Sequence, residues 1–110
     1  IPGLLESGRR VIAVDLVGCG RSDKPAKKSD YTLARHIDWI EKWLLANDLK
    51  NITLVCQDWG GTIGLNVLAD NPERFDRLVA ANSGILSGDG GNRFTFCWLK
   101  LMKWMPLFPF

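Results

Sequence analysis

Asp58 is the side chain of this 110-residue sequence best placed to do chemistry. It stands in Cys56-Gln57-Asp58-Trp59-Gly60-Gly61, between an apolar, β-branched stretch and a second apolar stretch that starts at Thr62. The order is small residue, any residue, acid, any residue, small residue, on what reads as a strand-to-helix turn. Such a turn is tight, demands small neighbours and pushes the central side chain into the open. At the N-terminus of a helix beginning near Gly60, the helix dipole favours the ionised form of that side chain. An ionised, projecting carboxylate can act as a nucleophile. Asp before a helix is also a common N-cap. A cap needs no indole beside it and no glycine pair after it, and the run supplies both.

The elements that must hold Asp58 follow a strand, loop and helix alternation, with no internal repeat or linker before about residue 86. Residues 10–16, RVIAVDL, form the continuous apolar run of a strand buried on both faces. The glycines, charges and Pro25 of VGCGRSDKPAKKSD mark an exposed loop. From Thr32 to about Asn47, Leu33, Ile37, Ile40 and Leu44 recur at steps of four, three and four, the face of an α-helix that packs on a sheet. Residues 51–57 repeat the strand pattern, 62–71 read as a helix that Pro72 helps to close, and a third strand is expected around 77–82. Three strands with helical crossovers predict a parallel α/β sheet. Ligands in such sheets bind beyond the carboxyl ends of the strands, where Asp58 falls. From Ser87 the texture changes: a glycine-rich loop leads into RFTFCWLKLMKWMPLFPF, an aromatic helix candidate that Pro106 ends or kinks. The expected division is a core over 1–86 and the start of a layer above it over 87–110.

Composition is that of a globular protein, with 46% hydrophobic and 24% charged residues. A net charge of +2 leaves no nucleic-acid footprint. Cys19, Cys56 and Cys97 are odd in number and widely spaced, which indicates neither a disulfide framework nor a metal site. A reducing, cytoplasmic setting is the expectation, with no membrane partner, since no apolar run approaches the ~18–20 residues of a bilayer span. The start without Met and the apolar ending at Phe110 lead us to expect a truncated chain. The glycines of GCGRSD and GDGGN fit neither a dinucleotide fingerprint nor a phosphate loop. No cofactor is expected.

CQDWGG, preceded some forty residues earlier by VDLVGCGRSDKP, resembles the α/β-hydrolase fold and, within it, the haloalkane dehalogenases. The resemblance continues through YTLARHIDWIEKWL, LKNITLVCQDWGG and NPERFDRLVAANSG. It implies a fragment of an α/β-hydrolase fold, a parallel sheet with flanking helices, followed by the start of a helical cap. It implies an enzyme that hydrolyses carbon–halogen bonds, with a haloalkane and water as its small-molecule partners. Asp58 would displace halide from an sp³ carbon and be left as an alkyl ester. The Trp59 indole N–H would donate to the departing halide, and the Trp59 backbone N–H would help stabilise the oxyanion formed when water attacks the ester. Trp98 would supply a second halide contact from the cap, against a reading as ordinary cap packing. Asn82 is similar to the branch whose catalytic acid follows a later strand. The base that activates water is a distant His in this family and is absent from these residues, as is the His-Gly segment that carries the second oxyanion donor. The single histidine, His36, is read as structural, as are Asp15, Gly18, Gly20 and Ser22. Gln57 departs from the His that usually precedes the acid in epoxide hydrolases and fluoroacetate dehalogenases. Two other functions compete: an epoxide hydrolase, for which the one tyrosine, Tyr31, is poorly placed, and a non-catalytic interaction protein of the same fold, which would not be expected to keep Asp58, Trp59, Gly60 and Gly61.

Overall fold

A computed structural model describes residues 1–83; Trp98 and the expected boundary at 86/87 lie outside the described residues. In chain order, the elements are a short helix α1 (Pro2–Leu5), helix α2 (Leu33–Ala46), strand β1 (Ile52–Gln57), helix α3 (Asp58–Asp70) and strand β2 (Phe75–Ala81), with single 3₁₀ turns at Lys28–Asp30 and Pro72–Arg74. β1 and β2 pair in parallel, and α3 is the crossover between them. The register pairs Val55 with Val79, Cys56 with Ala80 and Gln57 with Ala81.

α2 starts where a capping residue permits it: Thr32 has extended backbone and its side chain accepts from the Arg35 N–H. Its apolar face behaves as the spacing requires. Leu44 is buried, and Ile37 and Ile40 pack against the same core. α3 is buried nearly all round, at Ile63, Leu65, Val67, Leu68 and Ala69 among others, because it lies against α2 as well as the two strands. The core is therefore built about α3, with Leu44 from α2, Cys56 from β1 and Phe75 from β2 completing it. Asn71 ties the C-terminus of α3 to α2, donating to the Glu41 carboxylate at 2.8 Å and to the Val67 carbonyl at 3.1 Å. Arg74 fastens the following turn by donating to the Leu49 carbonyl at 3.0 Å and the Asp48 carboxylate at 3.1 Å.

Residues 10–16 correct the sequence reading. They form no strand, and the sheet among the described residues has two strands, not three. A β-branched run becomes a strand only when a neighbour takes up its backbone N–H and C=O groups, and no such neighbour is present among the described residues. The end of the run packs all the same: Val14 and Leu16, with Val17 after them, line a hollow of about 120 Å³ with Trp39, Ile40 and Trp43 of α2, while Ile12 stays exposed. The two predicted strands that did form start one and two residues from where the pattern placed them, and α3 begins at Asp58 instead of after Gly60.

Candidate active site

β1 delivers the chain to Gln57 in extended conformation (φ −146°, ψ 147°), and at Asp58 φ swings to +50°. For a residue with a Cβ this left-handed backbone costs roughly 1–2 kcal/mol. The cap position of α3 falls on Gln57, whose side chain makes no capping bond. Asp58 is one residue further on, with the left-handed backbone that turns the chain into α3. Its side chain is exposed at the carboxyl end of β1, and Trp59 beside it is 58% exposed. An indole of that size left in the open on a turn is unusual for packing and available for contact with a ligand.

The two glycines have different duties, and here the structure corrects the expectation that both neighbours of the acid are sterically forced. A Cβ on Gly60 would meet nothing within 4 Å. On Gly61 it would collide with the side chain of Ser83, and it would touch the Cys56 sulfur at 3.8 Å. Ser83 was not singled out in the sequence. Its Oγ donates to the Asp58 carbonyl at 2.8 Å across 25 residues of chain. The parallel register explains the meeting. Gln57 and Ala81 are partners at the ends of β1 and β2, and the next residue of each strand, Asp58 and Asn82, is left-handed (φ +50° and +44°). Cys56, two residues before Asp58, is buried, and burial pushes its thiol above the usual range. It is a small core residue in this position, not a second nucleophile.

The other sequence candidates lie elsewhere. His36 packs edge-on against Trp39 (centroids 5.2 Å apart, 89°) and near Tyr31, and its buried Nδ1 has no partner among the described residues. The hollow it borders, between residues 14–17 and α2, is lined by no residue of the 57–61 turn. Asp15, Gly18, Gly20 and Ser22 form a self-bonded loop: the Asp15 carboxylate accepts from the Arg21 N–H at 2.9 Å, Ser22 Oγ donates to the Asp15 carbonyl at 2.6 Å, and a Cβ on Gly20 would strike the Asp15 carboxyl. Tyr31 donates to the Pro25 carbonyl at 2.7 Å. Among the described residues no group of three or more His, Cys, Asp or Glu could hold a metal ion, and no helix is long and apolar enough to cross a membrane.

A family model described as the alpha/beta hydrolase fold matches residues 1–106. The chain belongs to that family. The hydrolase-fold chain is 56% identical, over 89 residues, to a haloalkane dehalogenase of Psychrobacter cryohalolentis, a match covering 81% of this chain and 29% of that protein. It is 48% identical over 82 residues to a cis-3-alkyl-4-alkyloxetan-2-one decarboxylase of Shewanella oneidensis, covering 73% of this chain and 26% of that protein. Among solved structures, the tetrameric haloalkane dehalogenase DpaA from Paraglaciecola agarilytica superposes with a TM-score of 0.75 at 38% identity, covering 98% of this chain and 36% of that one. The chain thus spans about a third of the length of the relatives it matches. The resemblance to haloalkane dehalogenases is borne out in sequence and in structure.

Proposed function

We propose that the protein carrying this chain is a hydrolase of carbon–halogen bonds in haloalkanes, working through an ester on Asp58. The observation that carries the reading is the left-handed, exposed Asp58 at the carboxyl end of β1 with an exposed Trp59 beside it. The carboxylate displaces halide in line from the sp³ carbon. The carbon–halogen bond breaks as the carbon–oxygen bond forms, and the halide leaves with the electron pair toward the Trp59 indole N–H. Water then adds to the ester carbonyl and gives its proton to a general base. The negative charge that develops on the ester oxygen is met by the Trp59 backbone N–H. The base is not His36, which is held among aromatic rings of α2 and its flank. Trp98 is proposed as a second halide donor. Cys19 and Cys56, both free, are in keeping with a cytoplasmic, reducing setting.

The test is Asp58→Asn in the whole protein, assayed by halide release from 1,2-dibromoethane. An amide is a far poorer nucleophile, so release should cease once reversion by deamidation has been excluded by mass spectrometry. Undiminished release would remove Asp58 from the mechanism. The decarboxylase relative supplies a second reading of the same turn. Incubation of the whole protein with a cis-3,4-dialkyloxetan-2-one separates the two: carbon dioxide without halide release from any haloalkane would favour decarboxylation.

A further inference from the structure

We propose that Ser83 is a positioning residue for the proposed active site: it sets the peptide plane that aims the Trp59 N–H at the oxyanion. The inference rests on the dehalogenase reading above and adds to it a residue whose place was visible only in three dimensions. Ser83 Oγ donates to the Asp58 carbonyl at 2.8 Å. That carbonyl and the Trp59 N–H belong to one planar amide, which is trans, so the two groups point in opposite directions. Fixing the oxygen on the Ser83 side fixes the N–H on the other. As a first-turn group the Trp59 N–H has no acceptor within its own helix, so the plane is held from the Asp58 carbonyl end, where Ser83 Oγ adds its bond to the one the helix makes there.

The approach of Ser83 has been accommodated at a second position. A side chain at residue 61 would occupy the space that the Ser83 hydroxymethyl group fills, whereas Gly60 has open space around its Cα. Asn82, left-handed at the end of β2, precedes Ser83, which lies against the first turn of α3. A hydrogen bond from a neighbouring strand end, a glycine that makes room for it and two adjacent left-handed residues form one device. Its effect falls on a single step. Attack of Asp58 on the sp³ carbon develops no charge on the ester carbonyl, so it does not use the Trp59 N–H. Addition of water to the ester does: the water proton passes to the general base, the carbonyl electron pair moves onto oxygen, and collapse expels the alcohol and regenerates the carboxylate.

The experiment uses the whole protein with 1,2-dibromoethane, following the first-turnover halide burst, steady-state halide release and the intact mass of the enzyme during turnover. Ser83→Ala should leave the burst rate within about twofold and slow steady turnover roughly three- to tenfold, the worth of one neutral hydrogen bond. The alkyl ester should accumulate on Asp58, and Ser83→Thr, which keeps the hydroxyl, should restore turnover. Turnover unchanged in Ser83→Ala, or burst and turnover slowed together without accumulated ester, would overturn the proposal. Absence of halide release from the unaltered protein would instead sink the dehalogenase reading. The geometry has its own readout in melting temperature: Gly61→Ala should lower it with Ser83 present and lower it less in a Ser83→Gly background. Strictly additive losses would show that Ser83 and Gly61 are not coupled.

Discussion

Trp59 carries two separable donors, and substitution can tell them apart. Phe at this position keeps the ring and the backbone N–H but loses the indole N–H. Halide binding by the whole protein, followed by quenching of intrinsic fluorescence, should weaken by roughly ten- to a hundredfold, the ~1.5–3 kcal/mol of a hydrogen bond to a charged group. Equal halide affinity in the two proteins would make the indole a packing group. A second residue of interest is Asp48, whose left-handed backbone (φ +42°) suits Asn as well as Asp. Hydrogen bonds from Lys50 and Arg74 hold its carboxyl below the usual carboxylate range. A depressed native value stabilises the fold above the unfolded value of ~3.9 and ceases to do so as pH falls through the native one. Asp48→Asn should therefore lower the melting temperature of the whole protein slightly at pH 6. The gap should close on acidification below about pH 4 and shrink in high salt, because the carboxyl is exposed. A gap independent of pH would assign the effect to something other than charge.

At the level of elements, the periodic patterns were the dependable guide. The four-three-four spacing in α2 and the β-branched run of β1 both formed their elements within a residue or two of expectation, β1 with β2 as its partner. The run at 10–16 carries a β-branched stretch like that of β1 and is not a strand, since pairing belongs to the neighbour as much as to the segment. The site was legible to a comparable depth. Asp58 and Trp59 announce themselves by type and place. Ser83, 25 residues away, could be found only after the parallel register had put the ends of β1 and β2 side by side. The same dependence on tertiary packing gives a prediction for α2. Leu44 is 3% exposed and joins the cluster formed by α3 and the strands, so Leu44→Ala should cost the whole protein about 2–5 kcal/mol in denaturant titration. Leu45, next to it and 44% exposed, should tolerate Ala with a loss below ~1 kcal/mol. Equal losses at the two positions would mean that the helix face has been read wrongly.

For the molecule as a whole, the described core is one-sided. α3 covers one face of the β1–β2 pair and α2 packs on α3, while on the other face the partners Val55 and Val79 are 66% and 53% exposed, and Ile12 and Val14 of the unpaired run are 42% and 41% exposed. Among the described residues the two-stranded ladder presents an unpaired backbone edge on each side, and contiguous apolar surface of this kind drives association. A core centred on one helix also stabilises a chain of this size only marginally. The 110-residue chain studied by itself should therefore self-associate in sedimentation velocity and unfold without a sharp transition. Its chemistry should stop early for a separate reason. Asp58 needs only its own carboxylate to accept an alkyl group, but hydrolysis of the ester needs a base, and the single histidine is engaged with Trp39 and Tyr31 away from the turn. Exposure to 1,2-dibromoethane should yield at most one halide per chain, with the mass increment of one ester located on Asp58. A monomer with cooperative unfolding would refute the account of the exposed sheet face. Many halides released per chain would refute the claim that the water-activating base lies outside these residues.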